Sequence, residues 1–215
     1  MKKIHLYIGL AALFAATAAL GLYYGSLPDT VAVHWDGNGI ANGYAPRWQL
    51  WLIGPGLIAL MLLMPYFVSW LSPPKFKLDS FRNTLSYQSL ILALMMAVLF
   101  GMMLATALGH DVMRPRLGWL VVYTLLILIG SPMGKVRRNF FIGIRTPWTL
   151  ASEAVWDATH RLAGWLMVGS GALGYVAVLL GARAPVHIVL VAGWSVIAVL
   201  YSFILSKRIE KQGQL

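Results

Sequence analysis

Cysteine is absent from the 215 residues, which excludes disulfides and thiolate chemistry and leaves the redox compartment open. Charge is scarce as well: Asp, Glu, Lys and Arg make up 11% of the chain, against about 25% in soluble domains. A soluble globular fold could not solvate its surface with so little. The shortage falls on the acids, 7 against 17 Lys and Arg, so the net charge is +10. A basic balance can mark a nucleic-acid binder, but such a protein gathers its bases on one solvated face. Here they stand in short clusters between apolar runs, no basic groove can be assembled, and nucleic acid is excluded as a partner. Clusters of this kind match anionic lipid headgroups and membrane topology. The chain also lacks a soluble domain, a low-complexity segment and a convincing internal repeat.

What is present is hydrophobicity, 59% of residues, arranged in runs near the ~20 residues that cross a bilayer core of ~30 Å. Six runs predict an all-α membrane protein, a six-helix bundle: 4–25, 48–71, 88–108, 117–133, 162–181 and 185–206. The fourth is the shortest, spanning only ~25 Å at 1.5 Å per residue. The second contains Gly54-Pro55-Gly56 and Pro65, breakers that a membrane helix tolerates when neighbours satisfy the freed backbone. With the N-terminus inside, Lys2, Lys3, Lys75, Lys77, Arg82, Lys135, Arg137, Arg138, Arg145, Arg161, Lys207, Arg208 and Lys211 fall in the cytoplasm. Only Arg47, Arg114, Arg116 and Arg183 fall outside. The positive-inside rule therefore predicts both termini in the cytoplasm of a multi-pass bacterial inner-membrane protein. Tyr23, Tyr24, Trp48 and Trp51 fall at the outer interface, Trp70 and Tyr87 at the inner. Lys2-Lys3 before an apolar stretch and Ala16-Thr17-Ala18 imitates a cleavable signal peptide, but the apolar run continues to Tyr24, which favours an uncleaved span. Thr17, Gly21 and Gly25 form a small-residue stripe suited to close helix packing.

Two connecting segments carry more chemistry than a connector needs. In the outer loop, 26–47, alternation from Val31 to Trp35 predicts a short strand before the turn Asp36-Gly37-Asn38-Gly39, and Asn42-Gly43 is a second turn signal. His34 and Asp36 are ligand types, although a hydrogen bond within the loop and an Asx-turn account for them more simply. His110, Asp111 and His187 fall on the same side, so an outer zinc or copper site is conceivable from ligand type alone. No His-Glu-x-x-His motif supports it, and the main expectation is no cofactor. In the inner segment, 134–161, Pro147 bars helix at Thr146. Thr149 is then a candidate N-cap with Glu153 in the first turn, and Thr149, Glu153, Trp156 and His160 share one face of an interfacial helix, with Asp157 at its edge. An acid near a histidine suits a proton relay or a cationic peptide; pairing of Glu153 and Asp157 with Arg145 or Arg161 is the simpler alternative.

These segments resemble a known family. Asn139-Phe140-Phe141-Ile142-Gly143-Ile144-Arg145-Thr146-Pro147-Trp148-Thr149-Leu150, with Glu153, Trp156, Thr159-His160-Arg161 and Gly164, resembles the signature of the SdpI family. Leu27-Pro28-Asp29, His34, Gly39, Asn42-Gly43-Tyr44 and Arg47 resemble the uncharacterised N-terminal domain that accompanies it, with Ala32 and Arg47 standing where Pro and Lys are more usual. The resemblance implies a two-span unit, 1–71, joined to a four-span unit, 72–215. It also implies a membrane immunity or signalling protein that meets a secreted toxic peptide outside and a cytoplasmic regulator inside.

Three functional classes follow, in descending order. The first is a binding protein in which His34, Asp36, Asn42, Gly43 and Tyr44 of the outer loop receive a peptide. Asn139, Gly143, Arg145, Thr146, Pro147, Trp148, Thr149, Glu153, Trp156 and His160 then support or report that state. The second is a transporter or channel built on the Gly-Pro-Gly break and a Glu153–His160 gate. The third, a metal-dependent intramembrane enzyme, lacks a Ser–His–Asp order and paired catalytic carboxylates.

Overall fold

A computed structural model describes residues 1–72, 81–112 and 114–212. Lys75 and Lys77 of the predicted inner loop lie outside the described residues, and its part from Arg82 onward is already helix, so the third span begins six residues before the expected 88. Among those described, six helices are long and apolar enough to cross a bilayer: Lys3–Ser26, Arg47–Leu71, Arg82–Ala107, Arg116–Lys135, Glu153–Leu179 and Ala184–Lys211. The chain is an all-α, multi-pass membrane protein with six spans. Its regular helices are α1 (Lys3–Tyr23), α2 (Leu57–Leu71), α3 (Arg82–Ala107), α4 (Pro115–Gly130), α5 (Pro147–Ala151), α6 (Glu153–Leu179) and α7 (Ala184–Lys211). The short fourth run gains length from a turn, Met133–Lys135, that continues the span past α4.

Two compact units arise from the packing: residues 1–65 with 86–121, and residues 66–85 with 122–215. In the first, α1 buries Gly9, Ala16 and Leu20, positions that recur on one helical face. Leu20 joins Ile58, Leu62, Ala93, Phe100 and Leu104 in the core, and Leu27 and Val31 tie the outer loop to it. The small residue that admits a neighbour to α1 is Gly9, whose Cβ position is filled by the Leu62 side chain. Of the stripe expected to do so, Gly21 has its Cβ position 4.0 Å from the Trp51 ring, whereas Gly25 has nothing within 4 Å and Thr17 turns its hydroxyl back to the Leu13 carbonyl. A small residue permits close approach; it does not choose the partner.

The Gly-Pro-Gly break becomes a π-helical turn, Leu52–Gly56, entered from a short 3-10 turn, Arg47–Gln49. A single wide turn of this kind absorbs the backbone donor that Pro55 lacks without ending the span. Gly54 is buried there, and the Phe100 ring occupies the place a side chain would need.

In the second unit α4 and α6 approach through glycine. A Cβ on Gly164 would stand 2.8 Å from the Gly130 carbonyl oxygen, and one on Gly130 would stand 2.6 Å from Met167 Cβ. Further along, Gly174 receives the Tyr123 ring and Gly171 the Ile127 side chain. In lipid, where association rests on van der Waals fit, small residues at the crossing let main chains meet.

Gly54→Ala should therefore lower stability by about 1–3 kcal/mol, since an aromatic ring packed in a core has little room to give. Gly101→Ala, with nothing within 4 Å, should not. Thermal unfolding of the two variants in one detergent checks the difference.

Candidate functional site

The outer loop folds as a hairpin, β1 (Thr30–Trp35) against β2 (Ala41–Pro46), antiparallel. The first strand falls where alternation placed it; the second covers Asn42-Gly43, which had read as a turn. The dipeptide instead sits at a register shift opposite His34, where a Cβ on Gly43 would come within 2.8 Å of His34 Cβ. Glycine is needed there for space rather than for reversal of the chain. The reversal is made by Asp36–Ile40: Asp36 Oδ1 accepts from Asn38 N at 2.8 Å and Ile40 N at 2.9 Å, and Gly39 takes the left-handed conformation, φ 78°. His34 Nδ1 meets Asn42 Oδ1 at 2.5 Å, so it carries the proton and donates. At the hairpin's base Arg47 donates to the Leu27 carbonyl at 2.9 Å, pairs with Asp29 at 3.3 Å and lies over the Tyr24 ring at 5.2 Å. Ile40 and Tyr44 are left exposed.

The residues named for a metal are not gathered: among the described residues no three His, Asp or Glu side chains form a group that could hold one. Asp111 pairs with Arg114 at 3.1 Å. His187 is buried, with Nδ1 2.7 Å from the Tyr123 hydroxyl and Nε2 3.2 Å from the Ala182 carbonyl. A carbonyl only accepts, so Nε2 carries the proton and Nδ1 accepts from the tyrosine.

The inner segment is an irregular chain held by side chains. Asn139, fully buried, donates through Nδ2 to the Arg137 and Ile142 carbonyls at 2.8 and 3.1 Å. Its Oδ1 accepts from the Phe141 and Ile142 amides, both at 2.8 Å. One amide side chain thus pairs four backbone groups of a turn that no helix or sheet would satisfy. The chain then passes Gly143, φ 108°, whose missing side chain leaves room for His160 Nε2. That nitrogen accepts from the Ile144 amide at 3.0 Å, while Nδ1 donates to the Trp156 carbonyl at 2.8 Å. The imidazole stacks on the Trp156 ring, centroids 4.0 Å apart, and Trp156 Nε1 donates to the Val136 carbonyl at 2.7 Å. Both histidine nitrogens are committed, so His160 is a neutral clasp. A second proton would set two donors face to face.

Helix geometry here differs from the single interfacial helix expected. Thr146, extended at φ −96° and ψ 161°, is the N-cap of the short helix α5, with Pro147 in its first turn. Thr149, expected as that cap, completes a capping box from inside the helix: its hydroxyl accepts from Thr146 N at 2.9 Å and lies 2.8 Å from the Ile144 carbonyl. Ser152 breaks the chain and caps α6. Trp156 and His160 therefore lie at the inner end of α6, the helix that continues as the fifth span, while Thr149 lies on a separate helix. Ser and Thr both suit an N-cap, so residue type alone did not separate the true caps from Thr149. Arg138, read as a topology signal, donates to the Leu150 and Ala151 carbonyls at 3.1 and 3.0 Å and caps the end of α5. Trp148 Nε1 donates to Ser202 Oγ at 2.7 Å, fastening α5 to α7. Asp157 pairs with Arg137 at 2.9 Å, not with Arg145 or Arg161; Arg145 turns instead to the Phe140 carbonyl. No local spacing marks a bond between residues twenty apart.

The signature thus divides in two. Asn139, Gly143, Thr146, Trp148, Thr149, Trp156 and His160 build the clasp, whereas Phe140, Arg145 and Glu153 are exposed on its rim. These rim side chains, with the exposed Gly143 backbone and Pro147 beside them, are available to a partner without unfolding the segment.

Gly143→Ala, and separately His160→Ala, should each loosen this segment, the second by leaving the Ile144 amide unpaired at a cost of about 1–3 kcal/mol. Faster trypsin cleavage at Arg137, Arg138 or Arg145 in inside-out vesicles, with the protein still inserted, is the expected readout. On the hairpin, donation from the Ile40 and then the Asn38 amide holds the Asp36 carboxyl below the usual aspartate range. A depressed native pKa contributes stability that is present above the ordinary value and lost as pH falls through the lowered one. Carboxyl NMR should place the Asp36 midpoint below that of an unstructured 30–46 peptide, and Asp36→Asn should remove the acid sensitivity of the turn.

Comparison with known proteins agrees with both segments. Residues 135–206 match the model described as the SdpI/YfhL protein family, and residues 11–59 match a domain of unknown function, DUF1648. The Immunity protein SdpI of Bacillus subtilis (strain 168) is 27% identical over 206 residues, 96% of this chain and 93% of that protein. No solved structure matches. The clasp lies inside the first match and the whole hairpin inside the second, so the chain is similar to the SdpI/YfhL protein family over its second half and to DUF1648 over its first.

Proposed function

We propose that the chain is a membrane immunity protein of the bacterial inner membrane that protects its cell from a secreted, membrane-active peptide, without catalysing a reaction. The observation that carries this reading is the alignment over 96% of the chain with a protein named for immunity, which includes both the hairpin and the clasp. The hairpin receives the peptide on a surface that includes the exposed Ile40 and Tyr44, while Asn42 and His34 hold each other and keep the strands in register. The rim of the clasp, Phe140, Arg145 and Glu153, is the surface offered to a cytoplasmic partner.

Geometry lends less support to transport. The face proposed as a proton gate has its histidine bonded through both nitrogens, and the Gly54 break is filled by Phe100. A proton-linked gate requires a group open to taking up and releasing a proton, and both nitrogens of this imidazole are already committed to main-chain partners.

Expression in a sensitive host, challenged with membrane-active peptides, should raise survival. Replacing 30–46 by a short flexible linker should abolish protection while insertion, seen in membrane fractions, persists. Protection retained without the hairpin would remove it as the receiving surface.

A further inference from the structure

At the inner end of the second unit, Arg137 is taken by Asp157 and Lys207 by Glu210, at 2.9 and 2.7 Å. Lys135 and Arg161 are exposed, and neither takes part in an ion pair among the described residues. They are neighbours: Gly134 packs on the stem of Arg161, so close that a Cβ there would stand 3.0 Å from Arg161 Cγ. Both stand where hydrocarbon ends. One span finishes at Lys135, and the apolar run of α6 begins at Leu162. One helical turn further into that span, on the face of Arg161, Trp165 is 76% exposed.

We propose that Lys135, Arg161 and Trp165 form a binding site for the headgroup of an anionic phospholipid in the inner leaflet. This goes beyond the immunity reading and does not rest on it. An uncompensated cation at the edge of hydrocarbon draws an anion to itself. The guanidinium offers a planar pair of donors that matches two phosphate oxygens, and the ammonium adds a point charge beside it. Trp165 selects the source. Exposed one helical turn deeper in the span than Arg161, it stands at the depth where acyl chains and glycerol pack and a free phosphate ion would find nothing.

The test uses the full chain in nonionic detergent micelles, titrated with dioleoylphosphatidylglycerol and observed by native mass spectrometry. Wild type should keep one tightly held lipid. K135Q and R161Q should each weaken it about fivefold and the double variant roughly thirtyfold. R161K, which keeps the charge but loses the planar donor pair, should fall between wild type and R161Q. Dioleoylphosphatidylcholine should show no such adduct, and millimolar inorganic phosphate should not displace the lipid. Equal retention by wild type and both single glutamine variants would overturn the proposal. So would an equally tight phosphatidylcholine adduct, or displacement by phosphate, which would make the site one for free anions.

Discussion

Irregular backbone at the edge of a bilayer is governed by the need to pair every buried amide and carbonyl inside the protein, because hydrocarbon offers no partner. Between the turn that ends at Lys135 and the start of α5 no regular helix or strand supplies those bonds. Side chains do it instead: Asn139 for the first turn, His160 for the Ile144 amide, Thr149 for the Ile144 carbonyl and Trp156 for the Val136 carbonyl. The long motif is therefore, for the most part, a list of hydrogen-bonding groups that a helix would have made unnecessary. Its length follows from the length of chain it has to satisfy.

The same logic explains why chemically inviting residues are structural here. A buried histidine beside a tryptophan and an acid invites thoughts of proton transfer, yet its two nitrogens face one donor and one acceptor of the main chain. His187, buried in the same unit, is likewise bonded through both nitrogens. On the hairpin, Asp36 and His34 are occupied by the turn and by Asn42. Exposure, rather than residue type, separates the groups left for recognition.

Spans were legible because hydropathy and basic clustering act over twenty residues at a time, and no local accident erases such a signal. The turn at Asp36, the first strand and the extension forced by Pro147 were legible because each is a short-range steric or hydrogen-bonding preference. The second strand was not: Asn42-Gly43 ordinarily spells a turn, and only the presence of His34 across the ladder makes glycine a spacer. Arg137 with Asp157, Arg138 with the end of α5, and Trp148 with Ser202 were equally hidden. Each joins elements whose adjacency is decided by tertiary packing, and a base in a basic cluster carries no mark of which carbonyl it will meet.

The crossing of α4 and α6 has a mechanical consequence. With the Gly130 carbonyl against Gly164, no side chain stands between the two main chains to act as a cushion, and interlocked backbones resist sliding far more than flexible side chains do. The inner segment is thus strung between two firm anchors, this crossing at one end and the Trp148–Ser202 bond at the other. Tension applied to its rim has little slack to take up before it reaches α7, to which α5 is fastened by the Trp148 indole.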